Sequence, residues 1–85
     1  MNGIPATTLI DEVERFIRQR FAVPASDTRF TRDVDLWDNG YVDSLGVVEL
    51  IAFLENRIGV KLPTSILFDP DFKTIEGIAR LVGAG

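Results

Sequence analysis

The chain's most suggestive chemistry sits in two adjacent residues, Asp43 and Ser44. They follow a stretch from Ala22 to Val42 with no sustained hydrophobic period, and they open a helical apolar pattern. A serine at such a junction has two uses. As an N-cap, its oxygen accepts a backbone N–H. As an acceptor of phosphate, it holds the anion where free N–H groups and the positive end of the helix dipole stabilise it. Asp43 would offer a carboxylate to a divalent metal during such a transfer, or another capping oxygen. Nothing near Ser44 could activate it from within, so another enzyme would have to modify it.

The absent residue types support this division of labour. The 85 residues include no cysteine and no histidine. That removes disulfides, a thiol nucleophile, thiolate and imidazole metal ligands, and the common hydrolase triad. An enzyme built on paired carboxylates such as Asp38 and Asp43 would lack a second domain to form a cleft, and the reading is that the chain is not an enzyme. At this size roughly 60–65% of the unfolded surface can be buried, enough for one domain spanning 1–85 with a core over about 8–82. The longest apolar run, Leu50–Leu54, is five residues, against the roughly 20 that span a bilayer. No basic-then-apolar leader opens the chain, and a soluble cytoplasmic monomer with no membrane insertion is expected.

A net charge of −4 argues against nucleic acid. The charge is uneven: residues 33–56 hold six acids (Asp33, Asp35, Asp38, Asp43, Glu49, Glu55) and no base, leaving +2 for the remainder. Such a segment would steer a basic partner, or it is a solvated loop and helix face.

Four elements must position Asp43 and Ser44. Leu9, Ile10, Val13, Phe16, Ile17 and Phe21 form one apolar stripe of a first helix, with Thr8 and Asp11 as its starting signal. The long loop after Val23-Pro24 is pinned by Phe30, Val34, Leu36 and Trp37; loops of this length in compact domains are more often functional than idle. A second helix runs from Ser44 to Arg57 or Ile58, with Gly59 as its left-handed stop. Pro63 begins a short segment holding Ile66, Leu67 and Phe68. Thr74 caps a last helix carrying Ile75, Ile78, Ala79 and Val82, with Gly83 past its end. Three main helices, one short helix and a long loop between the first two predict an all-α four-helix bundle.

The second helix has two apolar faces. Val47, Leu50, Ile51, Leu54 and Ile58 form the core face. Leu45, Val48 and Ala52 gather nearly opposite, flanked by Glu49 and Asn56. An exposed apolar strip edged with acid is a docking pattern, unless the third segment folds over part of it.

The run Gly40-Tyr41-Val42-Asp43-Ser44-Leu45 resembles the G-x-x-D-S-[LM] signature of acyl and peptidyl carrier proteins, and the likeness extends over about residues 8–82. The resemblance implies the acyl-carrier type of bundle, with 4′-phosphopantetheine attached to Ser44 and Asp43 used in transferase recognition. It places Leu45, Val48 and Glu49 on the partner-recognition helix, to which the strip adds Ala52. The implied partners are a phosphopantetheinyl transferase, an adenylating ligase or acyltransferase that loads the cargo, and downstream acyl-transfer enzymes. Gly46, the Asp35-Leu36-Trp37-Asp38 approach and the Phe68-Asp69 stretch are more similar to the D-alanyl carrier branch and to stand-alone carriers of secondary metabolism than to the fatty-acid type. The alternative is a helical protein-interaction module without a prosthetic group, in which Ser44 only caps a helix.

Overall fold

The computed structural model describes residues 6–83. Helices α1 (Ala6–Arg20), α2 (Ser44–Ile58) and α3 (Ile75–Gly83) surround the core, and a 3-10 turn (Thr64–Phe68) lies between the last two. Among the described residues there is no strand, and the expected all-α bundle is the one observed. No helix among them is long and apolar enough to cross a membrane.

α1 and α3 are amphipathic and bury their apolar stripes, whereas α2 buries only one of its two apolar faces. Leu9, Val13 and Ile17 from α1 meet Val47, Leu50 and Leu54 from α2 and Ile75, Ile78 and Ala79 from α3 in one cluster. Full burial of such side chains stabilises by about 1.5–3 kcal/mol each relative to exposure. Among the described residues no polar or charged side chain is fully buried, so the core cluster is apolar. α1 packs mostly on α3, leaving α2 less tied to either neighbour.

The long loop joins the core as expected. Phe30, Leu36 and Val42 are buried and Val34 and Trp37 pack against them. Its backbone is fastened to the approach of α3: Leu36 N–H donates to the Lys73 carbonyl (2.7 Å), Glu76 N–H to that of Arg32 (3.0 Å), and Trp37 Nε1 to that of Phe72 (3.0 Å). Asp35 Oδ1 accepts the N–H groups of Trp37 (3.0 Å) and Asp38 (2.8 Å), fixing a local turn. The loop is therefore an ordered arm with its own hydrogen bonds.

Three boundaries differ from the sequence reading. α1 is helical from Ala6, so Thr8 lies inside it rather than at its cap. The apolar stripe begins at Leu9 because only there does the helix reach the core, while backbone helicity continues outward without packing. Pro63 stands just before the 3-10 turn in an extended conformation (φ −70°, ψ 146°), which suits its fixed φ. Gly83 is the last residue of α3 rather than the first beyond it, a shift within ordinary helix-end variation. Thr74 does cap α3, its Oγ1 accepting Gly77 N–H at 2.9 Å. The expected domain limits at 1 and 85 lie outside the described residues.

Candidate functional site

The site is built from the loop's end. Tyr41 and Val42 both donate their N–H groups to the Leu36 carbonyl (2.9 and 3.1 Å), which aims the chain at α2. Gly40 takes φ +77°, a conformation that favours glycine, to make the turn. The Tyr41 hydroxyl donates to Asp27 Oδ2 at 2.7 Å, bracing the end of the loop against its beginning. That bond holds the Asp27 carboxyl below its ordinary range and pushes the Tyr41 hydroxyl up.

Asp43 then caps α2. It is extended (φ −118°, ψ 179°), its Oδ1 accepts Gly46 N–H at 2.7 Å, and its carbonyl accepts Val47 N–H at 2.9 Å. This decides between the two uses of Ser44: the cap is Asp43, and Ser44 is the first residue of the helix. Ser44 is exposed. Because the first N–H groups of a helix have no intrahelical partner, the amides of Ser44 and Leu45 remain free for an anion. An accessible hydroxyl thus stands beside two amides that have no partner among the described residues, at the positive end of a fifteen-residue helix.

Behind Ser44 the apolar strip is open. Leu45 is 77% and Val48 65% exposed, and Ala52 is also at the surface. The segment from Leu62 to Leu67 does fold against α2, but along one edge: with Val47, Val48 and Ile51 it lines an apolar cavity of about 160 Å³. It half-covers Ile51 and leaves Leu45 and most of Val48 free.

Glu49 departs from the expectation of a free acid beside the strip. Arg20, at the end of α1, pairs with both of its carboxylate oxygens, Nη2 to Oε2 at 2.6 Å and Nε to Oε1. The pair holds the Glu49 carboxyl below the ordinary glutamate value. Other acids of the segment are also engaged internally: Glu55 accepts Leu62 N–H, Asp33 accepts the Thr31 hydroxyl, and Asp35 and Asp43 hold turns. Of the six acids in this stretch only Glu49 is matched by a base among the described residues, so the acidic run keeps its charge except at Glu49, beside the apolar strip.

Two residues that shape this corner were not singled out from sequence. Arg20 is the partner of Glu49, and Phe21, assigned to the core stripe, lies half-buried just beyond α1 with its ring against Gly46. The one available signal was Gly46 itself, a glycine inside a helical pattern.

Comparison with known proteins now bears on this corner. A family model described as a phosphopantetheine attachment site matches residues 11–82. The chain belongs to that family. It is 39% identical over 77 residues to the D-alanyl carrier protein of Streptococcus sanguinis, covering 86% of this chain and 94% of that protein. The D-alanyl carrier protein of Streptococcus mutans is 40% identical over the same span and coverage. That of Streptococcus uberis is 42% identical over 62 residues, 68% of this chain and 78% of the relative. The protein is thus a carrier with covalently attached 4′-phosphopantetheine, as the sequence resemblance implied, and the interaction-module alternative is not favoured.

The residues at the start of α2 fit that group. A phosphodiester needs an accessible hydroxyl and donors for its anionic oxygens, and the exposed Ser44 with the free amides of the first turn offers both. A covalent arm also needs an open approach, and the surface ahead of Leu45 and Val48 provides one.

Proposed function

We propose that Ser44 carries the 4′-phosphopantetheine arm and that the protein is a stand-alone, non-catalytic carrier of an acyl or aminoacyl group. The observation that carries this reading is the reassigned cap: Asp43 takes the capping bond, leaving the Ser44 hydroxyl exposed at the helix terminus. When bound, the arm supplies a terminal thiol that holds cargo as a thioester, a group this cysteine-free chain does not possess. Ser44 Oγ would hold the group as a phosphodiester once the transferase has broken the pyrophosphate bond of coenzyme A, the nucleoside bisphosphate part leaving and the serine proton being lost. The Ser44 and Leu45 amides would stabilise the remaining charge. Asp43 fixes the turn through Oδ1 and serves the transferase as a recognition carboxylate.

Leu45, Val48 and Ala52 form the apolar part of the partner surface, with Glu49 contributing as an ion pair rather than a free acid. Partners in this reading are a phosphopantetheinyl transferase, an adenylating ligase or acyltransferase, and the downstream enzymes that unload the cargo in the cytoplasm. Similarity to D-alanyl carrier proteins supports an amino acid as cargo and an adenylating ligase as its source. Docking is transient, with an interface at the small end of the usual range, because the carrier must leave each enzyme.

The absence of cysteine makes the test direct. After incubation with coenzyme A and a broad-specificity phosphopantetheinyl transferase, followed by desalting, one thiol per chain should be titratable in the wild type and none in Ser44→Ala. A thiol of equal amount on folded Ser44→Ala would overturn the assignment.

A further inference from the structure

α1 and the first turn of α2 meet at a contact that the attachment chemistry alone does not require. A Cβ built on Gly46 would fall far inside contact with Phe21 Cζ and Cε1, and would lie 3.1 Å from Asp43 Oδ1. The Phe21 ring therefore occupies the space that any other residue at 46 would need. The same residue supplies the N–H that closes the Asp43 cap. The Arg20 guanidinium lies over the same Phe21 ring, 5.3 Å from its centroid, and reaches on to Glu49, three residues along α2 from Gly46. Glycine weakens a helix relative to alanine, so its presence in the same first turn as Ser44 calls for a local reason. The ring is that reason.

We infer that Phe21 is a positioning residue for Ser44: its ring, seated on Gly46 and backed by the Arg20–Glu49 pair, clamps the first turn of α2 to the end of α1. α1 packs mostly on α3, so this clamp is where α1 restrains the turn that presents the hydroxyl. Without the ring, the cap bond at Gly46 is open to water and Ser44 samples orientations that the transferase cannot use. Displacements of about 1 Å at a reacting group can cost a hundredfold in rate. The inference rests on Ser44 as the attachment residue, but its first readout does not.

The experiment compares Phe21→Ala, Gly46→Ala and the double variant by amide hydrogen exchange and by transferase kinetics with coenzyme A. Local opening speeds exchange at the affected amides only, whereas a merely structural role speeds all of them together. Exchange at positions 46 and 47 should rise at least about tenfold in each variant, with Leu54 in the core changing much less. kcat for arm transfer should fall about tenfold or more while KM, set by the open Leu45–Val48 surface, stays near wild type. The double variant should lose no more than the worse single one, since all three remove one contact. Uniform acceleration that includes Leu54, unchanged exchange at 46 and 47, an unchanged kcat, or additive losses would each overturn the inference. If the wild type itself took no arm, the Ser44 reading would fail, and the exchange pattern would still decide whether the clamp exists.

Discussion

The Asp43 cap makes substitutions at two neighbouring positions unequal. Removing the Asp43 carboxylate with Asp43→Ala deletes the 2.7 Å bond to Gly46 N–H, and loss of such a cap costs about 0.5–2 kcal/mol, typically near 1. Asp43→Asn keeps a capping oxygen and forfeits only the charge at the helix terminus, worth about 0.3–1 kcal/mol. Ser44→Ala, by contrast, removes no capping bond, and alanine is the better helix former by up to about 0.5 kcal/mol, so stability should hold or rise slightly. In a domain of this size 1 kcal/mol moves Tm by about 4–8 °C. Urea unfolding and thermal scans of the three variants should therefore place Asp43→Ala well below wild type, Asp43→Asn between, and Ser44→Ala at or above it. A loss of about 1 kcal/mol in Ser44→Ala with a neutral Asp43→Ala would refute this, since the cap would then be the serine.

Three further outcomes concern other parts of the fold. Gly77→Ala would drive a Cβ into the Asp71 backbone, which cannot rotate away as a side chain can; a cost of about 1–3 kcal/mol should appear in urea unfolding. Ala22, two residues past the end of α1, lies in the left-handed region (φ 53°) with Val23 N–H bonded to the Arg18 carbonyl, the place where glycine is preferred, and Ala22→Gly should raise stability by about 0.5 kcal/mol in the same assay. Burial raises the pKa of Glu14, but hydrogen bonds from Arg32 and Arg18 outweigh it and bring the carboxyl below its ordinary 4.5. The stability this group contributes is thus present above pH 4.5 and lost as pH falls through the lowered value, and Glu14→Gln should flatten the acid limb of a stability–pH curve.

Much of the architecture was legible because burial writes itself into periodicity. The stripes Leu9–Ile17, Val47–Leu54 and Ile75–Ala79 are core in the structure, and Gly59 at φ +79° stops α2 as its residue type announced. The hydroxyl and the strip at Ser44, Leu45 and Val48 were visible too, since apolar side chains opposite a core face stand out where polar ones are the rule. Pairings between distant residues were not. Glu49 looked like a free acid because Arg20 stands 29 positions away, and no local pattern records a salt bridge between two helices. Phe21 fitted the stripe of α1 by spacing, although the helix ends one residue earlier and the ring turns to Gly46. The choice between Asp43 and Ser44 as cap also needed coordinates, since both types cap well and they are neighbours.

That Ser44 bears the arm is tested most directly by the intact mass of the protein before and after incubation with coenzyme A and a phosphopantetheinyl transferase, followed by peptide mapping. The expected result is a gain of one phosphopantetheinyl unit, located on Ser44. A folded protein that gains no mass with any of several transferases, or that carries the group on another hydroxyl, would contradict it.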